Sequence, residues 1–258
     1  MVKGLASFVE HFSGLEESYI LIGGAACDLW LGTFELPFRV TKDLDVVLVI
    51  ETLDDLFIEQ FWGFIAQAGY SSQNCHGEAP TLFRFHGPLT DEFPEIIELF
   101  CRQPFELPEG SRLAPFPAGE NQISLSVILM DDDYYEFVIE HRALVDGIPA
   151  IPAHCLIPLK AKAFLNLTSQ RQADKKSVQM RHIKKHRNDV FYLLLTLTPD
   201  TQIDLPDSIR NDMQAFLDEL PPDATAWKDI RRSVNNPELP QTEELISLIE
   251  EIFQLGHR

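Results

Sequence analysis

Asp43 and Asp45 open a strongly apolar stretch, DLDVVLVI, over residues 43–50. Its β-branched residues predict a buried strand. The strand period of two puts both aspartates on one face. Two crowded carboxylates repel, and burial sharpens the repulsion. A divalent cation relieves it, and hard oxygen ligands suit Mg²⁺ (or Mn²⁺) shared with substrate phosphates. The plainer reading is a pair of solvated aspartates at a strand end, and for a bare Asp-x-Asp it is the better one. Arg39, Thr41 and Lys42 directly before the pair shift the balance, because they add phosphate-compatible groups.

A two-metal phosphoryl-transfer site usually wants a third carboxylate from a neighbouring strand. Glu98 in EIIELF is the candidate, as an acid inside an apolar strand; Glu95 sits at the strand entry and fits less well. Gly23 and Gly24 follow the apolar run SYILI and precede a helical stretch. Glycine there lets backbone approach a ligand, and a helix start offers free N–H groups to phosphate. Neither a P-loop nor a dinucleotide fingerprint is present.

Lys160 shares a helical stripe with Leu156, Ala163, Phe164 and Leu167. An inward lysine seeks an anion, whereas a lysine at the rim merely snorkels. Arg187 lines up with Ile183, Val190, Phe191 and Leu194, while Asp189 lies on another face, free to orient a basic residue or to stay at the surface. Residues 171–187 carry seven Lys and Arg against the single acid Asp174. Such a run is usually a solvated face; its sharper meaning is a local site for triphosphate or RNA backbone.

The elements that must position these residues follow from periodicity. A helix is expected over 2–12, a strand over 18–22, a tight turn at Gly23-Gly24, a helix over 25–31 and a loop over 34–42. Thr52 is expected to cap a helix over 53–68. Strands are expected over 81–86, 96–101, 123–130 and 134–140, with a proline-rich loop over 103–119. Helices are expected over 156–170, 184–198, 206–220 and 240–255, separated by prolines. This predicts an α/β (α+β) fold: a mixed sheet flanked by helices over 1–153, then a helical C-terminal domain over 154–258.

The 258 residues are enough to bury a core, and 45% hydrophobic with 24% charged is ordinary for a soluble globular chain. The net charge of −19 excludes a general attraction to nucleic acid or anionic membrane. No apolar run spans a bilayer, and the N-terminus lacks the features of a signal peptide. Cys27, Cys75, Cys101 and Cys155 are widely spaced without a Cys-x-x-Cys pair, which fits a reduced cytoplasm.

Together, Gly23-Gly24-Ala25-Ala26 and Phe38-Arg39-Val40-Thr41-Lys42-Asp43-Leu44-Asp45 resemble the nucleotidyltransferase superfamily, most closely the AbiEii-like group of toxins and their relatives. The stretches LIPLKAKAFLNL and KKHRNDVFYLL look like the later lysine and arginine/aspartate helices of that group. The resemblance implies a nucleotidyltransferase fold and transfer of a nucleoside monophosphate from an NTP. It implies Mg²⁺ on Asp43 and Asp45, with Glu98 as the third carboxylate and Lys160 facing the triphosphate. This chain has Gly-Gly where the group commonly has Gly-Ser, and Glu98 where Asp is commoner. An RNA acceptor such as tRNA would lie along 171–187. A rival acceptor is a small cationic molecule or a protein, and a third reading is a nucleotide-binding protein without activity. As a toxin, the chain would dock an antitoxin on acidic C-terminal helices through Glu243, Glu244, Glu250 and Glu251.

Overall fold

The computed structural model describes residues 2–72, 84–102, 113–116, 125–221, 224–234 and 239–256. The chain divides into two compact units, Met1–Pro152 and Ala153–Arg258. No helix among the described residues is long and apolar enough to cross a membrane.

The first unit is a mixed sheet with helices. Its strands are β1 (Tyr19–Ile22), β2 (Asp43–Leu48), β3 (Ser71–Ser72), β4 (Arg84–His86), β5 (Ile96–Cys101), β6 (Leu113–Phe116), β7 (Leu125–Leu129), β8 (Ala143–Val145) and β9 (Ile148–Ala150). The order is β3-β4-β5-β2-β1-β9-β8, and β7 pairs with both β5 and β6. β2 lies between β1, which runs antiparallel to it, and β5, which runs parallel. All four residues of β1 are buried, as are Leu44, Val46, Val47 and Leu48 of β2, so both faces of the sheet centre are covered.

The helices are α1 (Leu5–His11), α2 (Gly23–Gly32), α3 (Asp55–Ala68) and α4 (Asp132–Glu140). α1 and α3 bring an aromatic core to the sheet. Phe8, Phe12, Tyr19, Phe57, Phe61 and Phe64 are all fully buried. Phe12 sits at its centre, 4.4 Å from Phe8 and 5.3 Å from Phe57 between ring centroids. The cap of α3 is Asp54 rather than Thr52: its side chain accepts from the Phe57 amide at 2.9 Å. Thr52 instead donates to the Glu17 carbonyl at 2.7 Å. The helix ends at Gly69, whose φ of 67° is left-handed.

The strand expected over 134–140 is helix α4. The apolar residues Tyr134, Tyr135, Phe137 and Val138 are buried at helical spacing, and the Asp131 carboxylate accepts from the Asp133 amide. Three consecutive aspartates at a helix start complement its dipole, and they outweigh the β-propensity of the aromatic run. Tyr135 then ties the end of β2: its hydroxyl donates to Glu51 at 2.7 Å and accepts from the Ile50 amide. The tight turn expected at Gly23-Gly24 is already the first turn of α2. Residues 113–116, expected within a loop, form β6; the rest of that loop, residues 81–83 and Cys75 lie outside the described residues.

The second unit is helical: α5 (Ala153–Ala173), α6 (Met180–Leu194), α7 (Asp207–Asp218), α8 (Ala224–Val234) and α9 (Thr242–Ile252). Phe216 of α7 packs on Phe164 of α5, and Trp227 of α8 on Phe191 of α6. α8 was not expected. Its buried Trp227, Ile230 and Val234 do fall at helical spacing, between proline pairs that read as loop. On α9, Glu244 closes a capping box with Gln241, and Glu250 is buried. That leaves less of an exposed acidic face there than its composition suggests.

Truncating Phe12 to Ala removes the centre of the aromatic core. Urea unfolding should show a loss of about 3–5 kcal/mol.

Candidate active site

The register of β2 and β5 builds the site. Asp43 pairs with Ile96 and Asp45 with Glu98 on the adjacent parallel strand. Side chains opposite each other in register share a face, so Asp43, Asp45 and Glu98 project from the same side of the sheet. The neighbouring Leu44, Ile97 and Leu99 are buried on the other side. The three acids are only partly exposed.

Glu98 carries the electrostatic strain. Its carboxyl is pushed up to about 7, first by burial and then by the negative charge of Asp45; Asp43 adds to this. A hydrogen bond between the Asp45 and Glu98 carboxyls also favours a protonated Glu98. Arg84 of β4 opposes these effects, with its Nε 3.0 Å from a Glu98 oxygen. Ligand oxygens of all three acids do not lie within 4.8 Å of one another, although Asp45 and Glu98 are hydrogen-bonded. The donor set is hard, anionic and on one face, which fits Mg²⁺ or Mn²⁺. Asp43, Asp45 and Glu98 would hold the ion.

The two glycines are dictated by space. β1 runs antiparallel to β2 and ends at Ile22, opposite Asp45. Gly23 follows with φ of 64°, and a methyl group on it would overlap the Asp45 carboxylate. A methyl on Gly24 would overlap the hydroxyl of Thr41, which is buried. Glycine is required at both places by close approach, and at Gly23 also by backbone sign. The start of α2, Thr41 and the carboxylates are thereby gathered at one end of β1 and β2.

The remaining basic candidates behave differently. Lys42 is exposed and pairs with Glu95 at 2.8 Å, which raises its pKa. The alternation that aims Asp43 and Asp45 one way aims Lys42 the other. Arg39 is half-buried, its guanidinium 4.7 Å above the Phe38 ring. Arg84 was missed by sequence reading. Its pairing with Glu98 comes from the β4–β5 register, which puts the two residues opposite each other and which the sequence does not carry.

In the helical unit, Lys160 and Asp189 form a buried ion pair, Nζ to Oδ2 3.1 Å, with side chains 5% and 6% exposed. Lys160 is thus inward as its stripe predicts, and Asp189 is the acid that holds it. Arg187 is also buried and donates from Nε and an Nη to Asn188 Oδ1 at 3.2 Å.

Two outcomes follow from this geometry. Glu98 has a folded pKa of about 7 against an ordinary 4.5. The native state therefore keeps a proton that the unfolded chain has released across that window. Stability in EDTA should fall as pH rises from 4.5 to about 7, and Glu98→Gln should remove that part of the slope in urea titrations. In the helical unit, Lys160→Met strands a buried carboxylate and should cost about 3–5 kcal/mol; adding Asp189→Leu should restore part of it, as a double-mutant cycle would show.

No family model, no curated protein and no solved structure matches this chain, so the cluster on β2 and β5 is known by its own geometry.

Proposed function

We propose that the chain is a metal-dependent nucleotidyltransferase, moving a nucleoside monophosphate from an NTP to an acceptor hydroxyl. The observation that carries this reading is the register of Asp45 opposite Glu98, with Asp43 two residues away on the same face. It agrees with the resemblance of residues 19–50 to the nucleotidyltransferase superfamily. A bound Mg²⁺ or Mn²⁺ would neutralise phosphate charge and orient the triphosphate.

The chain's own residues account for the rest. Asp43 and Asp45 would hold the cation, with Glu98 beside them. The backbone at Gly23 and Gly24, stripped of side chains, admits phosphate beside the first turn of α2. Glu98, in register with Asp45, would complete the ligand set, and the proton of the acceptor hydroxyl would pass to solvent. The acceptor oxygen bonds to the α-phosphorus, the bond from that phosphorus to the bridging oxygen breaks, and pyrophosphate leaves. Positioning and charge neutralisation supply most of the rate.

The basic stretch 171–187 supports an RNA acceptor, while the net charge of −19 supports a small cationic one. A single experiment separates them. The protein is incubated with Mg²⁺, each α-labelled NTP and total cellular RNA, beside Asp43→Ala/Asp45→Ala. Label in RNA that disappears in the double variant is the expected outcome. NTP binding that needs Asp43 and Asp45, without label in RNA, moves the acceptor to a small molecule or protein. Neither transfer nor binding overturns the proposal.

A further inference from the structure

An open pocket of about 520 Å³ lies between α5 and α6. That is the size of a small-ligand site. Phe164, Met180 and Ile183 give it an apolar wall; Arg171, Lys175, Lys184 and Arg187 give it four cations, and no acid lines it. Among the described residues, only Lys184 of the four has a carboxylate partner, Asp229 at 3.4 Å.

Arg187 is the telling residue. It is 9% exposed, and among the described residues its guanidinium donates to the neutral Asn188 oxygen alone. Buried charges are normally paired, because desolvation without a counter-charge is costly. Burial accordingly pulls the guanidinium below its usual range, and only Asp229 acts the other way. Thr168 and Gln172 complete the lining.

The cations are held in place by the fold rather than by each other. Arg171 donates to the Lys175 carbonyl at 2.7 Å and to the Val178 carbonyl at 2.5 Å, which fixes the turn between the helices. That turn keeps Lys175 at the mouth while Arg187 stays inside.

We propose that this cavity binds a phosphate-bearing ligand with a flat apolar face, the chemistry of a nucleotide. The phosphate pairs with Arg187, with Lys175 closing over it; the base lies against Phe164 and Ile183. The site is built by the helical unit alone. It lies within the basic 171–187 stretch and so deepens the reading above, whose RNA acceptor that stretch would hold, although binding itself needs no metal.

The test is equilibrium binding to the full chain in EDTA at low salt, with AMP, adenosine and a short single-stranded RNA as probes. AMP or the RNA should bind, and Lys175→Glu and Arg187→Gln should each weaken that binding about tenfold or more. Lys175 is exposed, so its variant reads binding even where the Arg187 variant fails to fold. Asp43→Asn/Asp45→Asn should bind as the parent does, which keeps this site distinct from the carboxylate cluster. Binding of AMP identifies a free nucleotide; binding of RNA without AMP identifies a nucleotide within a strand. The proposal is overturned if neither probe binds, if adenosine binds as tightly as AMP, if Lys175→Glu changes nothing, or if the Asp43/Asp45 variant abolishes binding.

Discussion

Parallel pairing between β2 and β5 places two carboxyl groups directly across from each other, with a third one pleat away on the same face. A hydrophobic pair at those positions would stabilise the sheet; like charges there oppose it. The strands nevertheless pair, because the opposite face of both is completely buried and fixes the register. A one-residue slip would bury the acids and expose Leu44, Ile97 and Leu99. The apolar side of the sheet therefore holds the polar side in a strained arrangement. The sharing of a proton between Asp45 and Glu98, and the hold of Arg84, are local responses to that strain.

Much of this was legible in the chain. The alternation in DLDVVLVI gives both the strand and the common face of its aspartates, and an acid inside EIIELF stands out against its apolar neighbours. The lysine stripe around Lys160 correctly indicates an inward side chain. What was not legible depends on partners distant in sequence. Nothing near Lys160 names Asp189 as its partner, and nothing near Glu98 names Arg84. Helix α4 was misread for a different reason. Its aromatic and β-branched residues favour a strand, and only the three aspartates ahead of them reveal a helix start. The cap of α3 failed in the same way, since two polar residues compete and Thr52 is drawn to Glu17.

The helical unit treats its buried cations in two ways. Lys160 is neutralised by Asp189 inside the protein. Arg187, one turn of α6 before Val190 and Phe191, receives only an amide oxygen. Lys160 is on α5 and Arg187 on α6, so the contrast reflects the placement of a single acid, Asp189, and not a general polarity of the unit. The same economy is seen at the turn, where Arg171 spends its guanidinium on two carbonyls and leaves charge repulsion among its neighbours unrelieved.

The fit of Gly23 against Asp45, and of Gly24 against Thr41, has a consequence for how such a protein can diversify. No side chain can be introduced at the start of α2 without displacing a carboxylate or a buried hydroxyl. That corner is closed to variation, and its contribution is backbone alone. Residues 34–40 impose no such limit: Phe34 and Val40 are exposed and the segment has no regular structure. Side chains can change there without displacing a carboxylate, while the glycine corner tolerates none.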